Sequence, residues 1–450
     1  MELREYQAID AQRIKNSTAL GLFSEQRTGK TPTAIVGMAQ SCAHILVICP
    51  ASLMYDWAEA VQVWTQRSVW LCNTKDLPEN WKDISVFIVN YEKIPDTRKA
   101  KGMWSTLAKM KFDGIILDEA HRIKNRKSLT AKAIYRLSNR IPKHLALTGT
   151  PAYDKPEDLW SILHFLDHQK FGSYWEFIQQ WCNMEYKWTP SGGTHEPKGI
   201  KESCKPMFTK MLNDMCIMHK RTEVMDWNTM QDVLDIKLPL TSVQSKYLTQ
   251  LSDYFECTDG TTLLECQTIL DRLIRYRQIC TAPAVCGLNG KSPKTDWILQ
   301  FLKDYPDQSV LIFSNSRKYL TYLNTKLPKT LKRAHIDSTV NRSQRAEVVK
   351  QFQNHELRVL LLQTQAAKEG LTLDEADSTI FCDIYPPASD YMQAKDRAVP
   401  ATKEKEKPRT IYRLMMANSY DEQLYQLVDN NIQLTDVINN FIKYIKEEQT

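Results

Sequence analysis

Two acidic residues and a histidine directly follow a short apolar run, where their side chains could hold a metal ion and activate water. Residues 114–121 read GIILDEAH, and the first four are typical of a buried strand. Polar groups at the carboxyl end of a strand collect where open α/β sheets bind ligands. We expect Asp118 to hold Mg²⁺ through water and Glu119 to polarise a water beside a γ-phosphate. His121 would sense that phosphate or contact a neighbouring motif.

A candidate phosphate loop precedes this pair. The sequence SEQRTGKT ends at Thr31 and leads into a helical pattern. Gly29 lets the backbone approach a phosphate, Lys30 would bind the β/γ-phosphates, and the Thr31 hydroxyl would ligate Mg²⁺. The usual pattern begins with glycine where Ser24 stands, so the loop alone is compatible with an ordinary helix start that bears an exposed lysine. The downstream acids, followed by TGTP at 148–151, favour a nucleotide site.

The elements that must position these residues alternate between strand and helix, which predicts an α/β fold. Predicted strands are 44–49, 84–89, 114–117 and 144–147 in a first region, and 309–313, 358–362, 379–382 and 410–414 in a second. Continuous apolar runs of this length indicate strands covered on both faces, as in parallel sheets. The simplest architecture is a duplicated sheet of the nucleotide-binding type.

The remaining segments set the predicted domain limits. Residues 156–290 are rich in aromatic residues and helix formers, with one turn signal at 189–194, and are predicted to be a mainly helical insertion and linker. The first sheet domain then spans 1–155, the second spans 291–425, and an amphipathic helical tail spans 426–450. The charged run at 403–408 is interpreted as a solvated loop.

Composition narrows the class of protein. The 450 residues carry a net charge of +6, which permits a phosphate-binding groove without requiring one. None of the eleven cysteines forms a C-x-x-C pair, so we expect no structural zinc and a reducing compartment, the cytoplasm or a host cytoplasm for a viral protein. No signal-peptide pattern and no apolar run of about 20 residues is present, so we expect no membrane association. Core packing is the default for the eleven tryptophans, although one or two could stack on bases.

One family resemblance accounts for these motifs together. Residues 117–125, LDEAHRIKN, resemble motif II of the Swi/Snf-type ATPases of helicase superfamily two. Other segments between residues 3 and 425 resemble that family's motifs in the same order. They are the adenine-reading motif at 3–7, motif Ia at 49–53, T-T-Y-E at 89–92, motif III at 147–151, L-R-R-T at 219–222, L-R-Q-I-C at 275–280, the second-domain start at 292–294, and motifs IV, V and VI at 311–314, 369–373 and 393–397.

The resemblance implies two RecA-like domains of the P-loop type with a helical insertion, and ATP hydrolysis with Mg²⁺. It also implies movement on duplex or branched DNA more than strand separation. By analogy, it implies a role in replication, recombination or repair, with proteins of those processes as possible partners. The nucleotide-binding residues it implies are Gln7, Glu25, Arg27, Thr28, Gly29, Lys30, Thr31, Asp118, His121 and Gly370. The DNA-binding residues are Ser52, Asn90, Tyr91, Lys124, Ser314, Arg345 and Thr364.

The chain departs from the family pattern in three places. Arg27 replaces a phosphate-loop glycine, and Ala367-Lys368 replaces the glycine pair of motif V. Motif VI keeps Arg397, the predicted arginine finger, but Pro400 replaces the second arginine. A basic residue of the following loop is the alternative finger: Lys403, Lys405, Lys407 or Arg409.

Two rival functions follow from the same sequence. A strand-separating helicase on DNA or RNA would need a pin, and a nucleic-acid clamp with little hydrolysis would fit the incomplete motif VI. The compact chain resembles a minimal phage or bacterial motor more than a chromatin remodeller.

Overall fold

A computed structural model describes residues 2–72, 80–97, 101–149, 156–189, 192–226, 231–366, 371–385, 388–400, 402–430 and 434–448. The chain divides into two compact units, Met1–Met225 and Asp226–Thr450. This boundary lies inside the region predicted as a single insertion and linker, so each unit contains a part of that region.

The described part of the first unit alternates between strands and helices. Its strands are β1 (Ala19–Leu22), β2 (Ile45–Cys49), β3 (Val69–Leu71), β4 (Val86–Asn90), β5 (Gly114–Leu117), β6 (Lys143–Leu147), β7 (Cys182–Thr189), β8 (Gly192–Ile200) and β9 (Cys216–Ile217). Its helices are α1 (Glu5–Asn16), α2 (Lys30–Ala39), α3 (Met54–Thr65), α4 (Trp104–Leu107), α5 (Leu129–Ser138), α6 (Pro156–Leu166), α7 (Tyr174–Trp181), α8 (Lys205–Met215) and α9 (Arg221–Val224).

Seven of these described strands form a parallel sheet in the order β3-β4-β2-β5-β6-β1-β9. Every residue of β2 is buried, as its unbroken apolar run predicts for a strand covered on both faces. Successive side chains point to opposite faces. Leu46 and Ile48 therefore join one apolar cluster, while Ile45 and Val47 join another.

The strand order determines where the polar loops meet. Strands β5, β6 and β1 are consecutive neighbours and run parallel, so their carboxyl ends share one edge of the sheet. The acid pair follows β5, Thr148 follows β6, and the phosphate loop follows β1. Residues far apart in sequence are thus brought to the edge where α/β sheets bind ligands.

The second unit repeats this architecture. Its strands are β10 (Asp232–Leu238), β11 (Glu256–Thr258), β12 (Leu263–Glu265), β13 (Val310–Ser314), β14 (Arg333–Ile336), β15 (Val359–Gln363), β16 (Ser378–Phe381) and β17 (Thr410–Met416). Its helices are α10 (Ser242–Tyr254), α11 (Ile269–Thr281), α12 (Pro293–Asp304), α13 (Arg317–Lys326), α14 (Arg342–Gln353), α15 (Ala388–Lys395), α16 (Tyr420–Asp429) and α17 (Leu434–Glu448).

Six of the described strands of the second unit form a parallel sheet in the order β10-β17-β16-β13-β15-β14. A fully buried ion pair supports it, with Lys294 Nζ 2.6 Å from Asp421 Oδ2 and donating to Cys382 O at 2.8 Å. Helix α17 packs on α11, where the hydroxyls of Tyr444 and Tyr276 lie 3.0 Å apart. Two parallel sheets covered by helices confirm the predicted α/β class.

The region predicted as mainly helical also contains strands. Strands β7 and β8 pair as an antiparallel hairpin around the predicted turn, and β10 joins the second sheet. Exposed polar residues such as Asn183 and Glu185 gave β7 no apolar alternation, which is why the sequence did not indicate a strand. Across the described ranges, no helix combines the length and the apolar character needed to cross a membrane.

Candidate active site

The phosphate loop turns sharply through two residues with left-handed backbone conformation. Arg27 and Gly29 have φ of +69° and +73°, and Gly29 immediately precedes α2. A Cβ at Gly29 would collide with the side-chain nitrogen of Gln7, so both the conformation and the space require glycine. Arg27 adopts its conformation at a cost of about 1 kcal/mol, which explains why a glycine is expected at that position in related loops.

Lys30 points back into the loop that it follows. Its ammonium donates to the carbonyl oxygens of Ser24 and Glu25, both at 2.9 Å. A Cβ at Gly149, which follows β6, would lie 3.5 Å from the same nitrogen. The loop after β6 therefore packs close to Lys30, as the shared sheet edge requires.

The segment after β9 supports the loop from behind, a role that sequence analysis did not predict. Ser24 Oγ accepts from the backbone N–H of His219 at 3.1 Å, and the N–H of Glu25 donates to His219 O at 2.9 Å. A carboxylate oxygen of Glu25 accepts from the N–H of Arg221 at 2.8 Å. The hydroxyl that replaces the usual glycine thus ties the phosphate loop to residues 219–221.

Glu25 and Gln7, both predicted to bind nucleotide, have partners within the protein. Glu25 holds Arg221, as above. The side-chain amide of Gln7 donates to Thr28 O at 3.2 Å and accepts from Arg4 N at 2.9 Å, while Tyr6 donates to Thr28 O at 2.8 Å. Helix α1 therefore binds the phosphate loop through the Thr28 carbonyl. Gln7 lies beside this loop, next to the predicted nucleotide site.

The acid pair follows β5, and the charged form of its first member, Asp118, is disfavoured there. Asp118 accepts from the indole N–H of Trp57 at 2.7 Å and from the N–H of Glu119 at 3.0 Å, while the Tyr91 hydroxyl donates to Asp118 O at 2.7 Å. Burial, and then the neighbouring charge of Glu119, raise the pKa of Asp118 to about 6, although Trp57 and Lys30 oppose that shift. Glu119 itself has a left-handed φ of +53°, a conformation often found at functional sites.

His121 connects the acid pair to the loop after β6. Its Nδ1 lies 3.3 Å from a Glu119 carboxylate oxygen and 3.5 Å from the Thr148 hydroxyl. The imidazole therefore contacts the neighbouring motif, one of the two roles predicted for it. Thr150 and Pro151 of that motif lie outside the described residues.

This constellation fits a magnesium–nucleotide complex. Burial disfavours the charged form of the Asp118 carboxylate, and a divalent cation beside it would favour that form. In the described ranges no group of three or more His, Cys, Asp or Glu side chains is arranged to hold a metal. Mg²⁺ held by Asp118 and Thr31 would therefore take its other ligands from nucleotide oxygens and water, as this ion usually does.

Each protein group then has a definable task. Lys30 and the N–H groups at the start of α2 would stabilise phosphate charge. Glu119, placed by its backbone conformation and by His121, would accept the proton of an attacking water. Bound Mg²⁺–ATP would supply the phosphoryl group to be transferred.

The DNA-binding residues predicted in the first unit fall into two groups. Lys124 is exposed at the end of the acid motif, and Ser52 is partly exposed after β2, so both side chains can be reached. Tyr91 is only 2% exposed and its hydroxyl orders Asp118, while Asn90 accepts from Lys93 N at 2.9 Å. Tyr91 thus supports the acid site and Asn90 caps the turn at 91–93, while their predicted contacts with DNA stay a prediction.

The DNA-binding candidates in the second unit are largely buried. Ser314 is fully buried and donates to Asp383, and Thr364 is buried at the end of β15. Arg345 donates to Val340 O at 2.9 Å and Asp337 O at 3.0 Å, which fixes the turn before α14. These side chains are thus buried, and their contacts with the DNA backbone stay a prediction. Gly370 lies outside the described residues.

The basic loop after motif VI is mostly exposed, and its lysines are paired with acidic residues. Lys405 pairs with Asp374 at 2.9 Å and Glu375 at 3.0 Å, and Lys407 pairs with Asp377 at 2.7 Å. An acidic turn at 374–377 therefore binds the loop.

The remaining two cations of this loop are also engaged. Arg409 is buried and donates to the carbonyl oxygens of Asp374, Lys405 and Lys407, and Lys403 lies 3.4 Å from Asp226. Arg397, the other finger candidate, lies in a short 3₁₀ turn at Asp396–Ala398 whose Arg397 carbonyl accepts from Leu373 N at 3.0 Å. All four alternatives are engaged within the protein, and Arg397 is itself buried with contacts of its own, so its choice as the finger rests on its place in motif VI.

Comparison with known proteins agrees with the motif order. Residues 10–285 match the SNF2-related domain, and residues 293–401 match the helicase conserved C-terminal domain. The chain is 25% identical over 364 residues to the human "DNA annealing helicase and endonuclease ZRANB3", covering 79% of this chain and 32% of that protein. It is 23% identical over 458 residues to the mouse SWI/SNF-related regulator of chromatin subfamily A member 1, covering 93% and 41% respectively.

A solved structure is also similar. The Sulfolobus solfataricus SWI2/SNF2 ATPase core in complex with dsDNA is 20% identical, with a TM-score of 0.43 over 95% of this chain and 91% of that one. The chain spans only about a third to two fifths of the two curated relatives. Because the SNF2-related match covers more than half of the residues, and the motifs occur in that family's order, this chain belongs to the SNF2-related family.

Proposed function

We propose that this protein is a DNA-dependent, Mg²⁺-requiring ATPase that uses hydrolysis to move on, or remodel, duplex or branched DNA. The observation that carries the proposal is the shared edge of the first sheet, where Lys30, Asp118, Glu119 and His121 converge in a chain of the SNF2-related family. Relatives described as a DNA annealing helicase and as a chromatin regulator support DNA as the track. A role in replication, recombination or repair is the context we propose for it.

Hydrolysis in this proposal assigns a separate task to each predicted residue. Lys30 binds the nucleotide phosphates, and Glu119 activates water. Arg397 is the proposed arginine finger, which supplies positive charge to the phosphoryl group in the transition state. Conformational changes coupled to ATP binding and hydrolysis would then step the protein along DNA.

The test is phosphate release with no nucleic acid and with single-stranded DNA, blunt duplex, forked DNA or RNA. We expect duplex DNA to stimulate hydrolysis at least as well as single strands, and chelation of Mg²⁺ to abolish it. A triplex-displacement assay should detect movement on duplex DNA without strand separation. Stimulation by RNA alone would contradict the choice of track, and absent hydrolysis under every condition would favour a clamp.

A further inference from the structure

One exposed tryptophan stands out on the first unit. Among the tryptophans whose side chains the structure describes, Trp175 alone is exposed, at 53%, while Trp57, Trp160 and Trp181 are buried. An exposed indole offers a broad flat face to a partner. Nothing in the nucleotide chemistry uses Trp175, which lies at the start of α7.

Trp175 belongs to a rigid aromatic platform. Its ring centroid lies 5.2 Å from that of Tyr174, in an edge-on arrangement. Tyr174 in turn packs edge-on against Trp160 at 5.4 Å, and His164 stacks on Trp160 at 4.6 Å. Because these underlying rings are packed, the exposed indole is held in place before any partner binds, which lowers the entropic cost of binding.

A cationic loop borders the platform. Residues 122–127, RIKNRK, place four cations in six positions directly after the acid motif. The Arg126 guanidinium lies over the ring of Tyr174, 3.9 Å from its centroid. The loop is also fixed to α6, because the Ser161 hydroxyl donates to Lys124 O at 3.1 Å.

The charges of this loop remain reachable by an anion. Arg122 and Lys124 are paired with Glu92 at 2.8 Å and Asp158 at 4.0 Å, but these pairs are largely exposed and so contribute little stability. A phosphate can displace such carboxylates at small cost.

We propose that Trp175 and the loop at 122–127 form a site for an unpaired DNA base and its adjoining phosphate. A flat aromatic face beside fixed cations matches the two parts of a nucleotide, since the base stacks and the phosphate pairs. Bases inside a duplex have both faces covered by their neighbours, so this site selects DNA with unstacked bases, at a fork, a flap or a single-stranded gap. The inference rests on the proposed function and names its substrate class as branched DNA.

The platform also lies next to the chemistry. The cationic loop continues directly from Glu119 and His121, and His121 contacts Thr148. A nucleotide bound by this loop would therefore lie within a few residues of the acid proposed to activate water. Binding of a branch would then be coupled to hydrolysis through this short segment.

The test compares affinities without nucleotide, so that it does not depend on hydrolysis. Forked DNA with 2-aminopurine at the first unpaired position and a blunt duplex with the same base paired would be titrated into wild type, Trp175→Ala and Trp175→Phe. We expect Trp175→Ala to weaken fork binding about 5- to 100-fold more than duplex binding, and to abolish the stacking quench of 2-aminopurine. Trp175→Phe should keep most of both.

Tyr254→Ala is the matched control, since Tyr254 is 71% exposed but lies in the second unit; it should leave the ratio of fork to duplex affinity unchanged. Equal losses on fork and duplex, no loss, or undiminished quenching in Trp175→Ala would overturn the inference and indicate a general DNA contact or a protein partner. If no DNA stimulates hydrolysis by the wild type but Trp175→Ala still loses fork binding selectively, the proposed function fails and this inference stands.

Discussion

Each sheet places an aspartate just after a central strand, and the two aspartates have opposite surroundings. Asp118 follows β5 and has one indole N–H and one backbone N–H as donors, beside a second carboxylate. Asp383 follows β16 and accepts from Ser314 Oγ and from the backbone and side chain of Asn315 at 2.8 and 2.9 Å, with Arg277 at 3.6 Å. The same position of the fold thus carries an aspartate whose charged form is disfavoured in one unit. In the other unit it carries an aspartate whose negative charge is balanced by hydrogen-bond donors and a cation.

The difference distinguishes a candidate metal ligand from a structural residue. Burial disfavours the charged form of Asp118 and raises its pKa, and a bound cation would favour that form. At Asp383 the donors and a cation already balance the carboxylate, and its hydrogen bonds fix the loop that begins α13.

The largest expected effect comes from Glu119→Gln, which removes the water-activating carboxylate and keeps the side chain's size. We expect DNA-stimulated hydrolysis to fall on the order of 10³- to 10⁴-fold while ATP affinity is retained, because only the base is lost. Phosphate release and fluorescent-nucleotide binding would measure the two properties. Lys30→Ala is the companion variant and should weaken nucleotide binding instead. Wild-type hydrolysis in Glu119→Gln would show that another group is the base.

Two arginines of the second unit give the next comparison. We expect Arg397→Ala to reduce single-turnover hydrolysis on saturating DNA on the order of 10³-fold with nearly unchanged nucleotide affinity, because a finger acts in the transition state. Arg409→Ala should affect turnover much less, since that guanidinium is committed to the carbonyl oxygens of its own loop. The loss of these hydrogen bonds in Arg409→Ala should lower the melting temperature. A severe turnover defect in Arg409→Ala with a mild one in Arg397→Ala would reverse the assignment.

Neutralising the two aspartates should move stability in opposite directions. Asp383→Asn leaves Arg277 without its carboxylate and should destabilise the protein by about 2–3 kcal/mol. Asp118→Asn removes an acid whose pKa is raised, and should stabilise the magnesium-free protein by about 1–3 kcal/mol at pH 7 while abolishing hydrolysis. Chemical denaturation in the presence of EDTA would measure both. Destabilisation by Asp118→Asn would show that its carboxylate is already compensated.

The stabilising effect of Asp118→Asn should depend on pH. The pKa of Asp118 is about 6 in the folded protein and 3.8 as the ordinary value, so the folded state binds this proton more tightly than the unfolded state. Wild-type stability from this group is therefore lost as pH rises from about 4 to about 6. The advantage of the variant should grow over that window and level off above it, in melting temperatures measured with EDTA.

The smallest effect is expected where the phosphate loop is supported. Ser24→Ala removes the acceptor of the His219 N–H, which should loosen the loop and weaken ATP binding about 5- to 10-fold, equivalent to about 1 kcal/mol. Ser316→Ala is a matched control, because that hydroxyl accepts from Tyr319 N at the start of α13, in the second unit. It should lower stability but leave ATP affinity unchanged. Equal ATP affinity in Ser24→Ala and wild type would assign the hydroxyl to folding alone.

The sequence predicted the core strands well because their signal is local. Strand β5 begins and ends where predicted, and the bounds of the other seven predicted strands shift by one or two residues, since each is an apolar run long enough to be covered on both faces. Strands β1, β3, β9, β10 and β14 of the same two sheets were not predicted. The hairpin β7–β8 was missed because an exposed strand carries no such signal. The ion pairs of the basic loop were not predicted because its acidic partners lie some 30 residues earlier at 374–377, a distance over which sequence patterns show no pairing.

The types and order of the candidate catalytic residues were determined by the sequence. Lys30, Asp118, Glu119 and Arg397 follow from local motifs, because phosphate binding, water activation and charge stabilisation each require a particular functional group. What those groups experience was decided by the tertiary structure. Burial beside Glu119 and Trp57 sets the pKa of Asp118, and parallel pairing of β9 with β1 brings His219 to Ser24. Burial and long-range hydrogen bonds depend on which segments the fold brings together, and no local pattern encodes that.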